Sequence, residues 1–355
     1  MTSSNVVETH ISILFFVGDR VYKLRKAVRF GFLDFTDRAA RRADCEREVA
    51  LNRRLAPDVY LGVADLVLGG EPVEHMAVMK RLPQERALAR LARDGAALGD
   101  CVTAVARVLA SFHAGALRSP EISNAAEAKA LGRVWESNFE ELGPFVGSCL
   151  DPRRDERIKE LARRYLQGRA PLFAARIASG RVCDGHGDLQ AEDIFCLDDG
   201  PRILDCIEFD DSLRYGDVVA DVSFLVMDLE RLGRPEAASA FVEAYQEFAG
   251  DRFPPSLLDH YCAMRAYVRA EVACLRHAQG DERARSEARR LHDLALGYLE
   301  RARARLVVVG GLPGTGKSTL AARLAESQGW TLLRSDEVRK ELFGPAPGES
   351  PQRPG

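Results

Sequence analysis

Long hydrophobic runs are missing from this sequence. No apolar stretch approaches the ~18 residues that a membrane-spanning helix needs, so a soluble chain with no membrane partner is expected. A dominant charge is missing too. The 50 basic and 53 acidic residues leave a net charge of -3, which gives no reason to expect a nucleic acid partner. The eight cysteines, at 45, 101, 149, 183, 196, 206, 262 and 274, include no CxxC pair. No histidine pair stands at zinc spacing, which argues against a structural metal site. Several cysteines lie in apolar runs such as Leu204-Asp205-Cys206-Ile207. These read as reduced, buried thiols in a cytoplasmic protein. The opening MTSSNVVETH is polar and carries an acid, unlike a signal peptide.

What remains is an ordinary globular composition, 46% hydrophobic and 29% charged over 355 residues. At roughly 100–200 residues per domain this suggests one large and one small domain. Residues 11–17 and 20–24 flank Gly18-Asp19 and read as a hairpin. Residues 37–56 read as a helix ending before Pro57. A second strand pair is expected at 63–68 and 75–79 around Gly69-Gly70. From about 98 to 280 helices dominate, at 100–114, 155–167, 236–249 and 256–279. Within that region Ile194–Leu197 and Ile203–Ile207 flank Asp198-Asp199-Gly200 as a short hairpin. A charged helix over 282–304 bridges to a different pattern: a strand at Leu306–Val309, a Gly-rich turn, a helix at 319–327 and a strand at 330–334. Residues 344–355 are rich in Pro and Gly and are expected to be disordered.

Gly311-Leu312-Pro313-Gly314-Thr315-Gly316-Lys317-Ser318 satisfies GxxxxGK[ST], followed by Thr319. A buried-strand run precedes it and a helical pattern follows. The glycines, Gly311, Gly314 and Gly316, let backbone N–H groups turn towards phosphate oxygens, and the helix N-terminus adds positive potential. Lys317 is expected on the β/γ-phosphates of ATP and Ser318 on Mg2+. Downstream, Asp336 and Arg339 match the spacing of substrate-contacting residues in P-loop kinases of the polynucleotide-kinase and zeta-toxin type, which this segment resembles. A helix N-cap Asp and a solvated Arg would read the same way. About 50 residues are too few for the further strands and lid of such a kinase. Residues 306–343 are therefore expected to be a truncated P-loop domain.

Residues 184–221 hold twelve acids with only Arg202 and Arg214 among them. Like charges in such number need compensation. A hard divalent cation would supply it, and a cationic substrate would add to it; an acidic surface face is the alternative. The spacing is more specific. His186-Gly187-Asp188-Leu189 is followed by Asp193 and then by Asp205 at the end of an apolar run. Gly216-Asp217-Val218-Val219-Ala220-Asp221 comes after.

This HGD…D…GDxxxD series resembles the catalytic and metal-binding segments of aminoglycoside phosphotransferases, a protein-kinase-like family. The resemblance spans about residues 10–300. It implies an α+β, bilobal protein-kinase-like fold, a small antiparallel-sheet lobe with a large helical lobe, followed by the partial α/β P-loop segment. It implies that Asp188 accepts the acceptor's hydroxyl proton and that Asp193 and Asp205 hold Mg2+. Lys23 and Glu48 resemble the family's strand Lys and helix Glu pair that grips the ATP phosphates; Lys26 and Glu46 are near alternatives, and a lone strand Lys is usually just solvated. Residues 76–83 resemble the adenine hinge. Asp193 stands where the family has Asn, and no GxGxxG precedes Lys23. The activity implied is transfer of the γ-phosphate of ATP to a hydroxyl of a small molecule, with a cationic or amino-bearing acceptor favoured by the acidic cluster. A non-catalytic ATP-binding sensor, or a P-loop kinase regulated by the longer domain, are the alternatives.

Overall fold

Gly18 takes φ 59° between two β-rich runs, and there the chain reverses. A left-handed turn residue of this kind suits glycine, which has no Cβ to clash. The reversal joins β2 (Ser12–Val17) to β3 (Arg20–Arg25), with β1 (Val6–Glu8) on the far side of β2. The computed structural model describes residues 6–9, 11–30, 33–303, 306–328 and 332–343. It separates two units, Met1–Arg303 and Ala304–Gly355.

In the first unit a two-residue ribbon, β4 (Arg29–Phe30) and β5 (Leu33–Asp34), leads into α1 (Arg38–Asn52). Asp37 caps that helix, its carboxylate accepting from Ala40 N at 3.0 Å. This satisfies one of the donors a helix start leaves open. The chain returns to the sheet as β6 (Tyr60–Leu68) and β7 (Glu71–Lys80), turning at Gly69-Gly70. The antiparallel sheet order is β1-β2-β3-β7-β6. Side chains alternate across a strand, so Val21, Lys23 and Arg25 of β3 share one face. That face looks at α1, whose buried stripe is Arg41, Asp44, Cys45, Glu48, Val49 and Asn52. The stripe keeps the helical i, i+3, i+4 spacing yet carries four polar or charged groups, which is unusual for a core face.

The rest of the first unit is mainly helical: α2 (Leu88–Arg93), α3 (Gly99–Gly115), α4 (Pro120–Ala125), α5 (Ala128–Leu142), α6 (Pro152–Leu166), α7 (Ala170–Ala178), α8 (Val218–Arg231), α9 (Pro235–Ala249), α10 (Pro255–Ala278) and α11 (Ala284–Arg301). Several begin at proline, whose missing N–H costs nothing at that position. Their common core includes the fully buried Trp135, Phe173, Phe241, Tyr245, Tyr267 and Tyr298. The fold is thus the expected one: an antiparallel-sheet lobe and a helical lobe.

Between α7 and α8 two short ribbons interrupt the helices. β8 (Val182–Asp184) pairs with β11 (Tyr215–Asp217), and β9 (Ile194–Leu197) pairs with β10 (Gly200–Ile203). The second hairpin strand was expected over Ile203–Ile207; it lies earlier, and the chain leaves the ribbon after Ile203. Asp205 takes φ 63°, which a regular strand cannot accommodate. Loops 185–193 and 204–214 therefore run between the ribbons, and they carry the candidate site.

The cysteines also differ from expectation. Cys101 of α3 and Cys196 of β9 form a disulfide across 95 residues, with Cα atoms 5.9 Å apart. Cys45, Cys149, Cys183, Cys206, Cys262 and Cys274 are free and buried, as expected. Among the described residues no helix is long and apolar enough to cross a membrane.

In the second unit the described residues form α12 (Lys317–Gln328) and α13 (Ser335–Phe343). The expected strand at Leu306–Val309 is not formed. Leu306 is 85% exposed and Val308 79%, because a strand needs a hydrogen-bonded neighbour and a covering layer, and none stands beside it among the described residues. Residues 332–334 are also irregular, while 330, 331 and the tail 344–355 lie outside the described residues.

Candidate active site

β3 brings Lys23 to α1. Its Nζ donates to Glu48 Oε1 at 2.8 Å and to Asp205 Oδ1 at 2.9 Å. Glu48 is buried, while 48% of the Asp205 side chain is open to solvent. The two carboxylates raise the pKa of the Lys23 ammonium against the desolvation that burial imposes, so it stays charged. The Lys23 charge in turn lowers the pKa of the Asp205 carboxyl. Lys26, the alternative cation, pairs instead with Glu8, and Glu46 pairs with Arg42 on the exposed side of α1.

Asp205 is the one non-glycine residue with positive φ among the described residues. Its neighbours hold it there. Its own N–H donates to Tyr60 Oη at 3.3 Å, Leu204 N donates to Asp193 O at 2.9 Å, and Cys206 N donates to Asn52 Oδ1 at 2.8 Å. Sparsely populated backbone of this kind persists only where the surroundings over-determine it, and it clusters at functional sites.

The loop after β8 is fixed from beneath by Asp221 of α8. This carboxylate accepts from His186 N at 2.6 Å and Gly187 N at 2.9 Å, and it faces His113 Nε2 at 3.1 Å. Burial alone would raise its pKa; the His113 hydrogen bond and the charges around it instead hold it well below the usual range. Gly185 is required here, since a Cβ would lie 2.4 Å from Asp221 Oδ2. His186 is buried, and desolvation lowers its pKa. Asp188 N donates to its Nδ1 at 3.3 Å, which puts the proton on Nε2, donating to Leu204 O at 3.0 Å. His186 thus braces the two loops against each other. Farther along, Ala191 N donates to Asp228 Oδ2 at 3.0 Å. Asp217 caps α8 and pairs with Arg176.

Nine of the twelve acids of 184–221 have a basic partner. Asp184 meets Arg54 and Arg214, Glu192 meets Arg93, Asp198 meets Arg86, Asp199 meets Arg202 and Asp205 meets Lys23. Glu208 meets Arg25, Asp211 meets Arg47 and Arg214, Asp217 meets Arg176 and Asp221 meets His113. Most of the compensation expected from a cation therefore comes from bases elsewhere in the sequence. Asp188, Asp193 and Asp210 have none among the described residues. Asp210 caps a surface turn through Ser212. Among the described residues the Asp188 carboxylate accepts from Gln190 Nε2, at 2.7 Å. Burial, offset in part by the charge of Arg269, pushes it up to about 6. Asp193 is pushed well up by burial and then by the charges of Asp205 and Asp188. Two carboxylates without bases, close enough to Asp205 for their charges to act on one another, suit a divalent cation, which takes hard oxygen ligands.

Sequence reasoning missed Arg25. Its guanidinium reaches Ser12 Oγ at 2.8 Å, Asp44 Oδ2 at 2.5 Å, Glu48 Oε2 at 2.9 Å and Glu208. Asp44, Glu48 and Glu208 form a tight carboxylate cluster, and Arg25 already supplies its positive charge. Asn52, which anchors Cys206, was missed as well. The signal was there: Arg25 stands two residues from Lys23 on the same strand face, and Asp44, Glu48 and Asn52 repeat every four residues on α1.

Residues 17–255 match the phosphotransferase enzyme family. The chain belongs to that family. Residues 306–354 match an AAA domain, so a kinase-like phosphotransferase domain is joined to a P-loop-like segment. An uncharacterized protein of Mycobacterium tuberculosis (strain H37Rv) is 41% identical over 339 residues, 95% of this chain and 68% of the relative. An uncharacterized protein of Mycobacterium bovis shows the same identity and coverage. Two solved structures share the phosphotransferase fold. The GDP and kanamycin complex of the aminoglycoside phosphotransferase APH(2")-IIia has TM-score 0.51 at 13% identity, over 84% of this chain and 92% of that one. Choline kinase from Cryptosporidium parvum Iowa II has TM-score 0.50 at 10% identity, over 91% of this chain and 90% of that one.

In the P-loop-like segment of this phosphotransferase, Gly314 and Gly316 take φ 76° and 81°, the left-handed turns a phosphate loop uses. Lys317 Nζ folds back on Leu312 O at 2.7 Å, as does Thr315 Oγ1 at 2.8 Å. A Cβ on Gly311 would lie 3.1 Å from Thr315 Oγ1. Ser318 and Thr319 are exposed in the first turn of α12. Asp336 and Arg339 are exposed on α13, where Asp336 lies in the first turn and not at the cap.

Proposed function

We propose that the Met1–Arg303 unit is an ATP- and Mg2+-dependent phosphotransferase that moves the γ-phosphate of ATP to a hydroxyl of a small molecule. The observation that carries this reading is the convergence of Asp188 and Asp193, acids without basic partners, on the cleft that holds Lys23 and Asp205. Lys23, oriented by Glu48, grips the nucleotide phosphates. Mg2+ bound by Asp193 and Asp205 would neutralise charge on the phosphates. Asp188 orients the acceptor hydroxyl and takes its proton. The acceptor oxygen forms the new bond to the γ-phosphorus, the bond to the bridging β–γ oxygen breaks, and ADP leaves. In such reactions positioning and charge stabilisation supply nearly all of the rate. A carboxyl pushed up to about 6 by burial suits a base working near neutral pH.

The name of the GDP-bound relative supports nucleotide binding by this fold. In the second unit, Gly311, Gly314, Gly316, Lys317, Ser318 and Thr319 form a phosphate-loop sequence, with Asp336 and Arg339 as its substrate residues. Without strands beside that loop among the described residues, we assign turnover to the first unit. The test is ADP release by the purified chain with ATP, Mg2+ and a panel of hydroxylated acceptors. Asp188→Ala should abolish transfer and leave the thermal melt in place. Undiminished turnover in that variant excludes the assignment.

A further inference from the structure

We propose that the acceptor carries an anionic group, a carboxylate or a phosphate, which Arg265 and Arg269 of α10 bind while its hydroxyl meets Asp188. This rests on the phosphotransferase reading above and names the class of its second substrate. It runs opposite to the cationic acceptor that the acid count of 184–221 favoured, because nine of those twelve acids are already paired.

Arg265 and Arg269 stand one helical turn apart on α10 and so share a face. Neither has an ion-pair partner among the described residues. Arg269 donates through Nη1 to Gln190 Oε1, and Gln190 Nε2 donates to Asp188 Oδ2 at 2.7 Å. One cation is therefore two hydrogen bonds from the candidate base. Arg265 lies over the ring of Phe224, 4.5 Å from its centroid. Phe224 is three residues past Asp221, the carboxylate that holds His186 and Gly187. Asp221 is engaged by those two N–H groups and His113, and among the described residues no hydrogen bond joins Arg265 to it or to Asp188. The Arg265 Nε is buried and has no hydrogen-bond partner. A buried donor left without a partner is costly, and buried guanidinium groups are normally paired. Of the nearby acids, Asp221 is engaged elsewhere and Asp188 is one carboxylate against two cations, which leaves a place for an anion. A planar fork of donors matches carboxylate and phosphate oxygens.

Burial lowers the pKa of Arg265, and the neighbouring Asp221 and Asp188 carboxylates only partly offset this. That agrees with a cation lacking its counter-ion. The arrangement also sorts acceptors. An amino alcohol would set its ammonium against two guanidinium groups, and like-charge contacts discriminate strongly between partners.

The experiment compares three acceptor classes of similar size with the full chain, ATP and Mg2+. Ethanolamine and choline represent the cations, glycerol and glucose the neutral alcohols, and glycerate and glycerol phosphate the anions. ADP release gives kcat and KM, and calorimetry with MgADP present gives acceptor binding without turnover. Anionic acceptors should lead in kcat/KM. Arg265→Gln, which has no link to Asp188 through Gln190, should raise the anionic KM at least about 30-fold, the lower edge of what unpairing a buried charge costs. The ATP KM should not move, and Arg265→Lys should recover part of the loss. A preference for cationic or neutral acceptors overturns the proposal, as does an Arg265→Gln effect confined to the ATP KM. Anion binding that needs Arg265 but gives no turnover would keep the anion site and sink the phosphotransferase reading. Neither binding nor turnover of either anion would remove the anion site itself.

Discussion

Lys23 Nζ lies 2.9 Å from Asp205 Oδ1, across 182 residues of sequence. The contact ties the sheet lobe to the loop after β10, and the same ammonium is held by Glu48 from α1. On the proposed function, the nucleotide phosphates meet this cation between two carboxylates. Lys23→Met should weaken MgADP binding by roughly 10- to 100-fold, since it removes a charge-assisted contact worth about 1.5–3 kcal/mol and leaves Asp205 without its partner. Calorimetric titration of the variant checks this, and an unchanged affinity would separate Lys23 from the nucleotide.

The packing beneath the 185–193 loop leaves no spare volume. Gly185 does not have a left-handed φ, so alanine is allowed there by backbone geometry and opposed only by space. Its Cβ would fall 2.4 Å from Asp221 Oδ2 and 3.1 Å from Cγ. Gly185→Ala should push the carboxylate off His186 N and Gly187 N and displace Asp188. A misplacement of about 1 Å can cost around 10²-fold in rate. Turnover should fall by that order while nucleotide affinity changes little. Wild-type turnover in Gly185→Ala would show that the loop tolerates the shift.

The positions of these groups were partly legible in the sequence. The β2–β3 hairpin was marked by Gly18-Asp19, and the Asp188, Asp193, Asp205 series by its resemblance to the phosphotransferase family. What escaped was the choice of distant partner. Arg25 reaches Glu208 across 183 residues, and nothing in local periodicity distinguishes a buried Arg from a solvated one. Asp205 was placed at the end of a strand because its neighbours are apolar, yet its backbone turns left-handed, a tertiary demand that overrides propensity. Leu306–Val309 has a sound strand pattern and no strand, because β structure needs neighbours that the pattern cannot supply.

The Cys101–Cys196 bond links α3 to the β9 strand that follows Asp193. In the chain-entropy picture, closing a loop of this length restrains the unfolded chain by about 4–5 kcal/mol. Denaturant unfolding in the presence of a reductant, or of Cys101→Ser, should therefore show lower stability, by up to that amount. Thiol titration of the unreduced, unfolded protein should find six reactive groups. Eight would mean that the bond does not form.

Glu271 of α10 gives a pH signature outside the cleft. Burial, then the charge of Glu141, pushes its carboxyl from 4.5 up to about 7. Between those values the folded protein holds a proton that the unfolded chain has released. The contribution to stability is thus complete below about pH 4.5 and is lost as the pH rises through 7. Scanning fluorimetry should show Tm falling over this window, and the slope should flatten in Glu271→Gln. An identical slope in the variant would assign the effect elsewhere.

Two candidate phosphate-binding sequences on one chain raise the question of how many nucleotides it binds. A phosphate loop works when its backbone N–H groups are held in a cradle by the strand before it and the helix after it. Here α12 is formed, but Leu306 and Val308 stand exposed with no strand beside them among the described residues, and Lys317 Nζ donates to its own loop at Leu312 O. Binding there would have to order the preceding segment at the expense of affinity. In the first unit, by contrast, Lys23 and Asp205 are positioned by a complete sheet and helix. Calorimetry on the full chain should therefore find one tight MgADP site. It should survive Lys317→Ala and disappear, or weaken at least about tenfold, in Lys23→Met. A stoichiometry of two, or loss of the tight site in Lys317→Ala, would move the nucleotide to the second unit and make the longer unit its regulator.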